Sequence, residues 1–406
     1  MTLKSSSVRL RTGNQMIAEG AIQAGCRFFA GYPITPATGI FKAMIDLLPR
    51  QGGVALSAPD EISAVAYCIG ASMRGLKAMT ATSGPGWALM IESVQYALMT
   101  EMPLVVAIVQ RLGPSTGGAT QGGQGDILLA EFATSGGYTI PMLCPTTAQE
   151  CYELTILAFT WAELYRTPVI LLSDKETGMT AERIEDDLLP NVTAQHRPTS
   201  GRFHELSESL RGMKRGTYHF DFPQEIPGFF PVGGDRRVTA TGSAHDKQGK
   251  LQKNSPETIE VLRHLEEKIR WREDDFAVTD GDLQPSAKTL VISYGVTSRS
   301  AKDAVKLARK KGHNVSFLGV LSLFPVPQKK IAEALKGVET VIVAEENLRG
   351  LYRSMVETLC RGKKVIAVNK IGSMITPLEI YAAILRNNSE QGTQTPLLND
   401  KTTTNG

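Results

Sequence analysis

"VALSAPDEISAVAYCIGASMRGLKAMTATSGPGWALMIESVQYALM", residues 54–99, alternates two kinds of pattern. "VALS" (54–57) and "AMTATS" (78–83) are short uncharged runs, as in strands covered on both faces of a parallel sheet. "EISAVAYCIGASMRG" (61–75) and "WALMIESVQYALM" (87–99) are long enough for helices. Strand, helix, strand, helix with short connections predicts a doubly wound α/β domain.

The same alternation extends in both directions. "NQMIAEGAIQAG" (14–25) reads as a helix ending in glycine, and "CRFFA" (26–30) as a strand. "LVVAIV" (104–109) and "PVILLS" (168–173) add strands, with "TAQECYELTILAFTWAELY" (147–165) a helix between them. The first domain is therefore placed at 1–185. Proline, glycine and polar residues then crowd the chain, so 186–285 is expected to be an irregular crossover with one helix, capped by Ser255 with Pro256 in its first turn. A second α/β unit over 286–388 follows from "TLVISYG", "SRSAKDAVKLARKKG", "NVSFLGVLSLF", "ETVIVAEEN" and "KVIAVNKIG". "NVSFLGVLSLF" (314–324) reads as one strand, and 389–406 as a disordered tail.

With 406 residues, 42% hydrophobic, 21% charged and a net charge of +3, the composition is that of an ordinary globular protein. Nothing in it favours nucleic acid or a membrane surface. No apolar run reaches the roughly 18 residues of a membrane span, and the first fifteen residues lack the apolar core of a secretion signal, so a cytoplasmic protein is expected. The five cysteines (26, 68, 144, 151, 360) form no C-x-x-C pair and read as small buried residues rather than metal or cluster ligands. All six histidines fall between 196 and 313. A serine–histidine or cysteine–histidine mechanism therefore cannot be built inside the first domain.

Ligands of open parallel sheets bind at the carboxyl ends of the strands. Four loops at that edge are unusual. "GYPITPATG" (31–39) pins Thr35 between Pro33 and Pro36, a stiff loop suited to a site or to a plain tight connection. "SAPDEIS" (57–63) puts Asp60 and Glu61 at a helix start, where acids also merely complement the helix dipole. "TSGPG" (82–86) is a turn at a helix start, a weak phosphate cradle without a P-loop lysine. "QRLGPSTGGATQGGQGD" (110–126) is long, rich in glycine and hydroxyls, and opens with Arg111. "DGDLQ" (280–284) is rejected as a magnesium–diphosphate motif, since its order is wrong and no asparagine follows at the needed spacing.

Together, "GYPITPAT", "PDEISAVAYCIGASMRG", "TATSGPGWALMIES", "EMPLVVAIVQRLGPSTG", "QGD" and "RTPVILLSDKE" resemble the alpha subunit of the thiamine-diphosphate-dependent 2-oxoacid:ferredoxin oxidoreductases. "SYGVTSRSAKDAV" and "VIVAEENLRG" extend the resemblance through the second unit. It implies a pyrimidine-binding domain followed by a transketolase carboxyl-terminal-like domain. It also implies oxidative decarboxylation of a 2-oxoacid with coenzyme A, or the reverse carboxylation, with ferredoxin as electron acceptor. Thiamine diphosphate would be shared with a beta subunit in an (alpha–beta)2 assembly. That beta subunit would carry Mg2+ and a [4Fe-4S] cluster, with no metal site in this chain.

By the same resemblance Glu61 matches the glutamate that bonds the thiamine ring nitrogen N1′, and Tyr32, Pro33, Ser83 and Gly84 border the cofactor. Thr35 and Arg111 match the residues that meet the substrate carboxylate, and Ser115, Thr116 and Gln121 are specificity candidates. Chains of this kind that use 2-oxoglutarate often carry a lysine where "GATQGGQGD" stands here; its absence counts against 2-oxoglutarate and leaves branched-chain or other 2-oxoacids open. A stand-alone nucleotide-binding protein using "TSGPG", or a non-catalytic assembly subunit, are the alternatives.

Overall fold

The computed structural model describes residues 8–197 and 216–392. Its first sheet contains β2 (Phe28–Gly31), β3 (Val54–Ser57), β4 (Ala78–Thr82), β5 (Leu104–Gln110), β6 (Met142–Leu143), β7 (Pro168–Asp174) and the late strand β12 (Ser322–Phe324). Their order is β12-β6-β7-β5-β4-β2-β3, parallel throughout except for β12. The chain moves outward from β2 to β3 and then returns to the other side of β2 with β4. That reversal is a topological switch point, where loops diverge and open a crevice.

Helices cover both faces. α1 (Gly13–Gln23) and α6 (Ala148–Tyr165) lie on one side, where Met16, Ile17 and Ala21 pack with Cys151, Phe159 and Leu171. α3 (Glu61–Met73) and α4 (Gly84–Met99) lie on the other, burying Val65, Cys68, Trp87 and Met90. All five cysteines are free and buried, as expected of small apolar residues.

A second sheet, ordered β14-β13-β10-β11-β9, is built from β9 (Thr279–Asp282), β10 (Thr289–Tyr294), β11 (Val315–Val320), β13 (Thr340–Glu345) and β14 (Lys364–Asn369). All are parallel but β9. One face buries Val291, Phe317 and Ile342 under its own helices. The other contributes Leu290, Ile292, Leu318 and Val341 to the same core as Trp87, Met90 and Ile108 of the first unit. The two sheets thus share apolar packing.

Several expectations are corrected. "NVSFLGVLSLF" is two strands: β11 ends at Val320, and β12 crosses to pair with β6 in the first sheet. An uninterrupted apolar run carries no mark of such a change of sheet, and the open edge of β6 supplies the reason for it. A short antiparallel pair, β1 (Val8–Thr12) with β8 (Ala181–Glu185), was not expected. "TSGPG" stands at a helix start, as expected: Thr82 ends β4, Ser83 is the N-cap and Gly84 opens α4, with Pro85 where a helix needs no N–H. The helix Pro377–Gly392, anchored by buried Ile380 and Ile384, runs past the expected start of the tail; residues 393–406 lie outside the described residues. "DGD" belongs to β9, where Asp280 pairs with Lys302 and Asp282 with Arg309.

Residues 216–254 contain no helix or strand, yet bury Tyr218, Phe220 and Phe229, and β9 falls inside the stretch read as crossover. Buried Arg166 donates to the Thr217 and Pro227 carbonyls at 2.7 and 3.1 Å. Buried Glu101 accepts from Lys268 at 2.8 Å and His264 at 3.2 Å. Burial alone would raise the Glu101 carboxyl, but the Lys268 ammonium and the His264 hydrogen bond hold it well below the usual range.

Candidate active site

At the carboxyl edge of the first sheet Thr35 and Arg111 meet, while Glu61 stands at the exit of β3, next to β2, and faces α4. At the end of β2, the loop 32–37 exposes Tyr32 and Pro33 and half-buries Thr35. At the end of β5 stands Arg111, only 6% exposed, whose Nη1 donates to the Thr35 carbonyl at 2.6 Å. The contact uses the threonine backbone, so the hydroxyl remains available. Arg111 Nε is buried without a partner.

After β3 the two acids divide the work of the helix start. Asp60 is the N-cap: its carboxylate accepts the Ser63 N–H at 2.7 Å, which lowers its pKa. Glu61 is 6% exposed and makes no hydrogen bond with any described residue. It faces the first turn of α4, where a Cβ on Gly86 would collide with Glu61 Oε1 and the Thr82 hydroxyl. Glycine is required there because the helix backbone lies directly against the carboxylate. Ser83, the residue before α4, keeps a buried Oγ without a partner.

The 111–126 loop closes on itself. Leu112 N–H donates to the Gln121 carbonyl at 2.9 Å, Gly118 N–H to the Leu112 carbonyl at 2.9 Å, and Gln121 N–H to the Gly118 carbonyl at 2.8 Å. Arg111, Leu112, Ser115 and Asp126 line a cleft of about 550 Å³ with Gly84, Pro85 and the turn 346–349. Among the expected specificity residues, Ser115 is on this wall; Thr116 and Gln121 are exposed and do not line it. Gln121 serves instead to close the turn.

Four functional candidates were missed from sequence. Asp126 lies against Gly84, where an added Cβ would come 2.5 Å from its Oδ1, and its Oδ2 is buried without a hydrogen bond. Burial pushes its carboxyl up to about 6, against the pull of Arg111. Gln124 is completely buried and joins the two sheets: Nε2 donates to Asp174 at 3.3 Å, and Oε1 accepts Glu346 N–H at 2.8 Å. Asp174, at the end of β7, is raised well above its ordinary value by burial, and Glu346 is pushed up to about 7. "QGD" and "AEENLRG" carried the signal, but nothing local showed that they meet.

Residues 19–261 match the family described as pyruvate flavodoxin/ferredoxin oxidoreductase, thiamine diphosphate-binding, and residues 287–380 match pyruvate:ferredoxin oxidoreductase core domain II. The 2-oxoglutarate synthase subunit KorA of Methanocaldococcus jannaschii is 38% identical, with 93% of this chain and 99% of the relative covered. The subunit of the same name from Methanothermobacter marburgensis is 40% identical over 92% of this chain and 97% of its own. The ketoisovalerate oxidoreductase subunit VorB of Methanothermobacter thermautotrophicus is 30% identical, covering 90% of this chain and 94% of its own. Among solved structures, the 2-oxoglutarate:ferredoxin oxidoreductase of Magnetococcus marinus, with 2-oxoglutarate, coenzyme A and succinyl-CoA bound, superposes with a TM-score of 0.86 at 29% identity. That match covers 95% of this chain and 66% of the other. A split-gene transketolase, at 11% identity and a TM-score of 0.51 over 92% of this chain and 95% of its own, shares the fold. The chain therefore belongs to the thiamine-diphosphate-dependent 2-oxoacid:ferredoxin oxidoreductases, as an alpha subunit.

Proposed function

We propose that this alpha subunit acts with a beta subunit in the oxidative decarboxylation of a 2-oxoacid with coenzyme A, passing electrons to ferredoxin, or in the reverse carboxylation. The observation that carries the reading is the pairing of Arg111 with the Thr35 carbonyl, together with an unbonded, nearly buried Glu61 at another strand exit on the same sheet edge. The residues present fit thiamine diphosphate: a carboxylate without a protein partner faces a helix start that tolerates only glycine. When bound, that cofactor supplies a nucleophilic carbon and an electron sink.

In this reading Glu61 holds the proton at N1′ of the aminopyrimidine, while Tyr32, Pro33, Ser83 and Gly84 border the ring. Arg111 binds the 2-oxoacid carboxylate, a charge-assisted contact that guanidinium makes well. Thr35 fixes Arg111 through its carbonyl and offers its hydroxyl to the same carboxylate, and Ser115 meets the substrate side chain. Residues 1–185 form the pyrimidine-binding domain and 286–388 the transketolase carboxyl-terminal-like domain. The beta subunit supplies Mg2+ and an iron–sulfur cluster, in an (alpha–beta)2 assembly working in the cytoplasm. No helix among the described residues is long and apolar enough to cross a membrane.

Purification from the native host tests this. A cluster-bearing partner should accompany the chain, and the pair should reduce a low-potential dye only with 2-oxoacid, coenzyme A and thiamine diphosphate present. An iron–sulfur spectrum from this chain alone, or dye reduction without its partner, overturns the proposal.

A further inference from the structure

The cleft beside Arg111 has a second cation. Arg349, in the turn after β13, lines it from the opposite unit. Its exposed side chain forms no hydrogen bond or ion pair with any described residue. Nearby basic groups are engaged: Arg353 pairs with Glu357 at 2.8 Å and Lys370 with Glu379 at 2.9 Å.

The turn that presents Arg349 is held against the far end of the glycine-rich loop that Arg111 opens. Gln124 N–H donates to the Glu346 carbonyl at 2.7 Å, and Asn347 Nδ2 donates to the Gln124 carbonyl at 3.1 Å. Within the turn, Asn347 Oδ1 accepts the Gly350 and Leu351 N–H groups at 2.8 and 3.1 Å. Glu345 accepts the Tyr352 and Arg353 N–H groups, each at 2.9 Å. The two guanidinium groups thus belong to one braced wall-and-wall arrangement, not to independent loops.

The same cleft has an apolar lining, with Leu112, Pro114, Leu129, Leu351 and Ile371. Two acids also line the cleft. Glu346 is turned to the Thr297 hydroxyl and the Ile375 N–H, and Asp126 lies against Gly84. Burial pushes both up, to about 7 and about 6, which leaves the cations less opposed below neutrality. Two cations from facing units, lining one cleft with apolar residues, suit a ligand with two anionic ends joined by a hydrocarbon segment.

We propose that Arg349 receives the distal carboxylate of a dicarboxylic 2-oxoacid whose 2-oxo carboxylate is bound by Arg111, taking the place of a lysine in the glycine-rich loop. The assignment rests on the function proposed above and specifies its substrate class. It is consistent with the names of the KorA relatives and requires no cation within "GATQGGQGD".

The test uses the assembled enzyme with Arg349→Gln and Arg349→Lys. KM and kcat are measured for 2-oxoglutarate, 2-oxoisovalerate, pyruvate and coenzyme A. Because Arg349 is exposed and screened, the expected rise in KM for 2-oxoglutarate with Arg349→Gln is about five- to tenfold. KM values for the monocarboxylic acids and coenzyme A should not move, and Arg349→Lys should recover part of the loss. An unchanged KM for 2-oxoglutarate, an equal rise for all 2-oxoacids, or a rise confined to coenzyme A overturns the assignment. A wild-type enzyme that uses only monocarboxylic 2-oxoacids also overturns it while leaving the proposed function intact; one that uses no 2-oxoacid overturns both.

Discussion

Replacing Glu61 by glutamine separates a catalytic carboxylate from a structural one. Structurally little is at stake, because Asp60 already caps α3 and Glu61 has no hydrogen bond to lose. What remains is its interaction with the helix dipole, worth about 0.3–1 kcal/mol. A loss of that size shifts Tm by about 2 °C or less in a chain of this length. Glutamine also keeps the shape that fits against Gly86, so the packing of α3 on α4 should survive. Proton handling is a different matter, since the amide cannot exchange the proton. Positioned acid–base groups contribute roughly 10²–10⁴-fold, or about 3–5 kcal/mol of barrier. The expected result is an assembled enzyme with a nearly normal melt and turnover down by at least about a hundredfold. Exchange of the thiamine C2 proton, followed by NMR after quenching in deuterated buffer, should slow in parallel. Wild-type turnover and exchange would refute the assignment; a large fall in Tm accompanying the loss would show that Glu61 is structural.

Arg111→Met should raise KM for every 2-oxoacid by tenfold or more, since leaving one partner of a buried charge pair unmatched costs about 2–5 kcal/mol. KM for coenzyme A should be unaffected in steady-state assays, and equal shifts for both substrates would contradict the reading. Asp126→Asn addresses pH. Its folded-state carboxyl is raised to about 6 from 3.8, so its favourable contribution is complete below the unfolded value and lost as pH rises through about 6. Above that the ionised form costs roughly 3 kcal/mol at most. The Tm of the variant should therefore gain on wild type as pH rises from about 4 to about 6 and the gap should level off above about 7; a gap that stays constant or shrinks across that window would show that the carboxyl is not raised.

The βα alternation was legible because continuous apolar runs and helical stretches each bear a local mark. Parallel strands also place every exit loop on one edge, so the sequence alone groups Thr35, Glu61 and Arg111. Their detailed relations were not legible. Whether Thr35 meets Arg111 by hydroxyl or carbonyl depends on loop backbone geometry, which two prolines constrain but do not specify. Ser115, Thr116 and Gln121 look equivalent in the sequence; only the closing hydrogen bonds of their loop put the first on the cleft wall. Ser322–Phe324 left its own sheet for another because β6 offered an open edge far away in the chain. Gln124 and Glu346 stand 222 positions apart, and Arg111 and Arg349 are farther still. Residue type and spacing determined which groups carry chemistry at each strand end. Tertiary packing alone decided which of them share a cleft, because contacts between distant segments are selected by the burial of two sheets against one another and leave no local pattern.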